Sequence, residues 1–266
     1  MSTSSNIWVY EKGSNRVFRT SVKTVANENN RWPKNTEKYL ANHIEAPANL
    51  VLDKIRERQP ITQGDKDVFS AYMVTMLQRV PKGLQRTKAA APEVMDKVFT
   101  DLKRDIMTLI TAHPARESVL QNILQKLPSL RSKYEIDFPM EAWYQNITPD
   151  ALPRVRVVLP AMTWIFLTSD KGQPFLTNDN PVFFFEGIGI GKPESEITFP
   201  ISNTVVLWAT WRKNLVEGYV PAKETVIREI NRRTASAATR YVYYSKEEQW
   251  VVGLIQKKNP KLHKLA

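Results

Sequence analysis

The chain has no cysteine, which excludes disulfide staples, thiolate zinc sites and cysteine nucleophiles. Its three histidines, His43, His113 and His263, are too scattered for a His-x-x-x-His metal spacing, and no His-Glu-x-x-His occurs. There is no Gly-x-Gly-x-x-Gly, no phosphate-loop Gly-Lys-Ser/Thr and no Gly-x-Ser-x-Gly, so dinucleotide, P-loop and serine-hydrolase sites lack support. The glycine-rich run Gly187-Ile188-Gly189-Ile190-Gly191 leads toward Pro193 instead of a helix and reads as a hairpin loop. No uncharged apolar run approaches the roughly 18–20 residues of a membrane helix. The start, Met-Ser-Thr-Ser-Ser-Asn, lacks the basic segment and apolar core of a signal peptide. A cytoplasmic protein with no membrane partner is expected.

What is present is an ordinary globular composition, 42% hydrophobic and 24% charged over 266 residues, enough to bury a proper core. The formal charge is +11 and the pI is near 9.7. Such a chain attracts polyanions, because each cation that neutralises a phosphate releases condensed counterions. The same charge also serves solubility alone.

In chain order, the runs Ile7–Tyr10 and Val17–Thr20 flank a Lys12-Gly13-Ser14-Asn15 turn and predict a β-hairpin within residues 1–35. Trp32-Pro33 marks a break. Residues 36–130 form a helical block: Leu40, Ile44, Val51 and Ile55 recur at helical spacing, with Pro47 kinking or splitting the run. Val68, Phe69, Tyr72, Met73, Met76 and Leu77 predict a helix over Asp65–Val80, stopped by Pro81. The stripes Val94, Val98, Leu102, Ile106, Leu109 and Val119, Leu120, Ile123, Leu124, Leu127 predict two more. Ala151–Pro160 fits a short helix or a strand. Residues 160–256 are strand-rich, with runs at Trp164–Thr168, Pro174–Leu176, Val182–Phe185, Ile197–Ile201, Val205–Trp211, Tyr241–Tyr244 and Val251–Ile255. One late helix covers Pro221 to about Ala238. The whole predicts a single α+β domain, 1–266: an amino-terminal β-hairpin, a central helical block, then a mainly antiparallel sheet with one late helix. The hairpin is free to join the carboxy-terminal sheet, and residues 257–266 form a basic, mobile tail.

The candidate site centres on Pro-Phe-Leu-Thr-Asn-Asp-Asn-Pro-Val-Phe-Phe-Phe, Pro174 to Phe185. Apolar runs flank Thr177, Asn178, Asp179 and Asn180, a pattern for a strand broken by a tight polar turn. Asp179 reads either as a cation ligand or general base, or as a cap that, with Asn178, bonds nearby amides. Glu45 borders the Leu40 and Ile44 stripe and is a second acid or a solvated helix position paired with a cation. Arg79 answers its helix dipole or binds phosphate bidentately, with Gln78 beside it. Asn231, Arg232 and Arg233 form a solvated basic face, or Asn231 and Arg232 contact substrate phosphate, and Asn231 also suits a buried backbone group. The many aromatics of the strand half serve mainly as core, with stacking on unpaired bases the minority reading.

Several patches in this order resemble one family: Trp8-Val9-Tyr10 with Val17-Phe18-Arg19-Thr20, Tyr39-Leu40 with Glu45, Gln78-Arg79-Val80-Pro81, Phe175 to Val182, Phe199-Pro200-Ile201-Ser202, and Asn231-Arg232. The chain is similar to domain of unknown function 4238, a mainly bacterial and phage family. It lacks the His-Tyr-Val-Pro segment that precedes the Trp-Val-Tyr strand there. The resemblance implies kinship of fold and a setting of bacterial or phage conflict, and supplies no activity. With the basic charge and the carboxylate turn, it motivates the expectation of a nucleic-acid-directed effector, a metal-dependent nuclease or phosphodiesterase. Asp179 and Glu45 would be its catalytic residues and hold Mg2+ or Mn2+, and Arg79, Gln78, Asn180, Asn231 and Arg232 would bind substrate. The alternative is a non-catalytic nucleic-acid or protein binding and assembly module. A third reading is a small-molecule enzyme or sensor with an anion between Arg79 and Asn231.

Overall fold

The computed structural model describes residues 6–22, 24, 33–136, 140–145, 147, 148, 150, 152–170, 172–257 and 261–265, the side chains of 135, 136 and 142 apart. The break expected at Trp32-Pro33 and the basic tail therefore lie partly outside the described residues. The chain divides into two compact units, Met1–Pro81 with Thr148–Ala266, and Lys82–Ile147.

The first unit opens with the expected hairpin, β1 (Asn6–Glu11) and β2 (Arg16–Ser21), paired from Glu11↔Arg16 outward. Asn15 takes a φ of 53° at the turn, a left-handed conformation that asparagine tolerates better than most residues. Helix α1 (Lys34–Tyr39) runs into a π-helical turn, Leu40–Glu45, and then into α2 (Ala46–Arg56). Pro47 has no N–H for the carbonyl four residues back and its ring crowds that carbonyl, so the helix widens by one turn and continues. Helix α3 (Gln63–Arg79) starts on a reciprocal cap: Thr62 Oγ1 accepts from the Asp65 N–H at 3.2 Å, and the Asp65 carboxylate accepts from the Thr62 N–H at 2.9 Å. It ends at an extended Val80 ahead of Pro81, as the pre-proline clash requires. Ala151–Pro160 settles as helix α7 (Pro153–Ala161).

Two sheets follow. In the larger, the order is β5 (Phe183–Phe184), β6 (Glu196–Pro200), β7 (Val205–Thr210), β3 (Thr163–Thr168) and β8 (Gly218–Pro221). All its pairs are antiparallel except β3 with β8. Strand alternation divides the core between its faces. Trp164, Phe166, Leu207 and Ala209 pack with Phe69, Met73 and Leu77 of α3, while Ile165, Leu167, Val206 and Trp208 pack with Ile227 and Ile230 of α8 (Glu224–Ala237). The smaller sheet runs β2, β1, β9 (Tyr241–Tyr244), β4 (Thr177–Asn178), so the amino-terminal hairpin does join carboxy-terminal strands. This is the expected α+β plan: hairpin, helical centre, and sheet with late helices.

Three local readings change. Val251–Ile255 is not a strand but part of a second late helix, α9 (Gln249–Ile255). Pro174–Leu176 is not a strand: the Phe175 N–H donates to the Asn203 carbonyl at 2.9 Å and the next residues are held by α8. Strand β8 was not anticipated.

The second unit holds α4 (Pro81–Ala112), α5 (Glu117–Ile136) and the short α6 (Met140–Gln145). An Asp96–Arg131 ion pair at 2.5 Å sets α4 and α5 antiparallel. Ile106 on α4 and Leu127 on α5 are buried, but Val94, Val98, Leu102 and Leu109 of the anticipated α4 stripe are exposed, as are Val119 and Ile123 on α5.

Candidate functional site

Helix α8 ends against the Thr177–Pro181 turn, and the polar residues of that turn serve the junction. The last turn of a helix leaves carbonyls without intrahelical partners. Asn178 Nδ2 donates to the Thr234 carbonyl at 2.5 Å and Asn180 Nδ2 to that of Ala237 at 3.2 Å. The Asn178 side-chain oxygen accepts the Asn180 N–H at 2.9 Å, which fixes the turn itself. Asp179 faces the chain just beyond the helix. Its carboxylate accepts the backbone N–H groups of Thr239, Arg240 and Tyr241 at 2.8, 2.7 and 3.1 Å. Lys12, from the hairpin, donates to the Ala238 carbonyl at 2.7 Å. Burial pulls the Lys12 ammonium below the usual lysine range, and the nearby Asp179 charge opposes that shift.

One turn back in α8, Asn231 is fully buried. Its side-chain oxygen accepts the Leu176 N–H at 2.9 Å and its amide nitrogen donates to the Pro174 carbonyl at 3.0 Å. Asn178, Asp179, Asn180 and Asn231 therefore converge on one junction, which clamps the Pro174–Pro181 segment to α8 and to the connection into β9.

Glu45 and Arg79 form a separate ion pair between the π-turn and the end of α3, both side chains about a third exposed at 37% and 31%. A pair this open contributes about 0–1 kcal/mol. Tyr72 lies within their field, its hydroxyl pushed up chiefly by burial. Gln78 is buried in α3, and Arg232 is partly exposed on α8 with Glu229 at 3.4 Å.

These placements correct the expected chemistry. A magnesium-type cation is held through one or two carboxylates with oxygens free to coordinate it, whereas Asp179 has both oxygens bonded to amides and Glu45 is taken by Arg79. Among the described residues, no group of three or more His, Asp or Glu side chains is placed to hold a metal ion. The Mg2+ or Mn2+ site at Asp179 and Glu45 is thereby overturned, and with it the metal-dependent nuclease or phosphodiesterase that depended on it.

The sequence reading missed a buried ionic group. Arg233, read as part of a solvated face, is wholly buried. Its Nη2 meets Glu196 at 2.7 Å and its Nε lies 3.7 Å from Glu229. The i,i+4 pairing of Glu229 with Arg233 was visible in the sequence. Glu196, at the start of an apolar strand, was the signal that an interior cation must answer it.

No helix among the described residues is long and apolar enough to cross a membrane. No curated protein and no solved structure matches the chain. The family model for "Protein of unknown function (DUF4238)" matches residues 2–248, which include both strands of the hairpin, the Glu45–Arg79 pair and the whole α8 clamp. The chain belongs to that family.

Proposed function

We propose that the protein is a non-catalytic binding and assembly module whose helical hairpin, α4 with α5, joins a second copy of the chain. The observation that carries this reading is a second apolar column on each helix. Met95, Phe99 and Ile110 on α4, with Leu120 and Leu124 on α5, are half-buried beside Ile106 and Leu127. Beside them Val94, Val98 and Leu109, with Val119, Ile123, Leu130 and Tyr134, stand between 43% and 62% exposed. A stripe this wide exceeds what one helical neighbour covers, and contiguous exposed apolar surface of this kind marks an interaction site. Two such hairpins bury both columns as a four-helix bundle.

Charge selects the second copy over a polyanion at this face. Residues 82–147 hold ten basic and eight acidic side chains, +2 of the total +11, so two hairpins meet without strong repulsion. The test is light scattering and sedimentation of the full chain beside Val98→Glu with Ile123→Glu. Dimers for the wild type and monomers for the variant are expected, and a wild type that stays monomeric at about 100 μM, a concentration well above the micromolar affinities common for such interfaces, refutes the reading.

A nucleic-acid partner falls to the first unit, which carries the excess positive charge. Such contact is sequence-independent and weakens steeply with salt. Fluorescence anisotropy with a single-stranded oligonucleotide from low to physiological salt checks it, and salt-independent binding or none contradicts it. A cysteine-free chain suits the reducing cytoplasm, where this reading places it.

A further inference from the structure

We propose that Glu196, Glu229 and Arg233 form a binding site for an extended peptide, and that segment 261–265 of this chain is its resident occupant. The contacts fall on the main chain at alternate residues. The His263 N–H donates to Glu229 Oε1 at 2.7 Å, the His263 carbonyl accepts from Arg233 Nη2, and the Leu265 N–H donates to the Glu196 carboxylate at 3.0 and 3.1 Å. The Leu265 side chain joins the apolar cluster of Ile165, Leu167, Val206 and Trp208. Ionised side chains here perform the recognition that a neighbouring strand performs in β-augmentation, with one apolar pocket adding selectivity.

Two observations set this apart from ordinary packing of a chain end. The guanidinium is completely buried, lying 5.4 and 5.0 Å from the Phe183 and Phe185 ring centres, yet its Nε and Nη1 have no hydrogen-bond partner. A buried donor left unsatisfied is costly, so the site offers more donors than its occupant uses. Glu196, Glu229 and Arg233 also lie inside the stretch matched by the family model, residues 2–248, whereas 261–265 lies outside it. The ligand class is an extended peptide presenting a leucine-sized side chain two residues after a bonded amide.

This inference stands apart from the hairpin reading, and its test does not touch α4 or α5. Full-length Leu265→Asp loosens the resident segment by placing a charge in the apolar cluster. A fluorescein-labelled peptide with the sequence of residues 257–266 is titrated into the wild type and the variant. Saturable binding to the variant at least tenfold tighter than to the wild type is expected, with none for the same peptide carrying Leu265→Asp. Hydrogen exchange reports in parallel, with the His263 and Leu265 amides protected in the wild type and unprotected in the variant. Equal binding by the two proteins, or no binding by a variant that keeps the wild-type circular dichroism and cooperative melt, overturns the proposal. So does a variant that fails to fold, because the segment is then a fixed part of the structure and not an exchangeable occupant.

Discussion

Replacing Asn231 tests whether the Pro174–Pro181 segment is held by a structural clamp. The side chain is fully buried and bonds both the Leu176 N–H and the Pro174 carbonyl. Asn231→Ala orphans both groups, each at about 1–3 kcal/mol when buried, so a loss of about 4 kcal/mol is expected. For a chain of this size that lowers Tm by about 8–16 °C. Asn231→Asp keeps the acceptor for Leu176 but turns a second oxygen toward the Pro174 carbonyl, so at neutral pH it fares no better than alanine. Its carboxyl, buried and facing a carbonyl, has a folded-state pKa raised above the unfolded value of about 3.9. A group raised in this way adds stability fully below the unfolded pKa and loses it as pH rises through the folded one. The aspartate variant therefore recovers relative to the alanine variant on acidification, because the neutral acid donates to Pro174 as the amide did. Urea unfolding of both variants at pH 7 and near pH 4 measures this. Losses under about 1 kcal/mol, or aspartate and alanine curves that stay parallel with pH, refute the reasoning.

Other consequences are equally measurable. Phe69→Ala empties a fully buried position that meets Trp164 and Phe199 edge to face, and a loss of about 3–5 kcal/mol in urea unfolding is expected. The hydrogen bond from Lys54, followed by those from Thr62, holds the Asp65 carboxyl below its ordinary 3.8. A lowered carboxylate contributes stability above the unfolded pKa and loses it as pH falls through the folded value. The stability gap between wild type and Asp65→Asn is therefore expected to be full at neutral pH and to close below about pH 3.8, read by pH-dependent thermal melts.

Helix α3 was legible because its apolar residues recur every three or four positions and a proline stops it, whereas the reciprocal cap at Thr62 that starts it two residues earlier was not read. The strands of the larger sheet were legible where β-branched and aromatic residues cluster. Strand β8 was not, since Gly218 sits at φ 144° and Pro221 closes the strand, two residues that normally argue against one. Helix α9 was mistaken for a strand because Val251, Val252, Leu254 and Ile255 favour either state over so short a run. The Thr177–Pro181 turn was legible as a turn, and the bonding of backbone amides by Asp179 was one of its two readings, but the distant partners were not legible. The carbonyls and amides it satisfies belong to Thr234, Ala237 and Thr239–Tyr241, more than fifty residues on, and backbone groups leave no mark in a sequence. Arg233 looked solvated for a different reason: Glu229 at i,i+4 was in view, but the buried carboxylate that meets it most closely, Glu196, comes from a strand distant in sequence.

The small sheet has a temporal consequence. Strand β1 is inserted between β2 and β9, so the inner edge of the first hairpin stays unpaired until Tyr241–Tyr244 has left the ribosome. At about 5–20 residues per second that wait is roughly 12–50 s. During it an aromatic edge, with Trp8 and Tyr10 in the strand, stands open to any passing chain. Translation speed between the hairpin and Tyr244 should therefore govern how much of this protein reaches its native state and how much is lost to clumping.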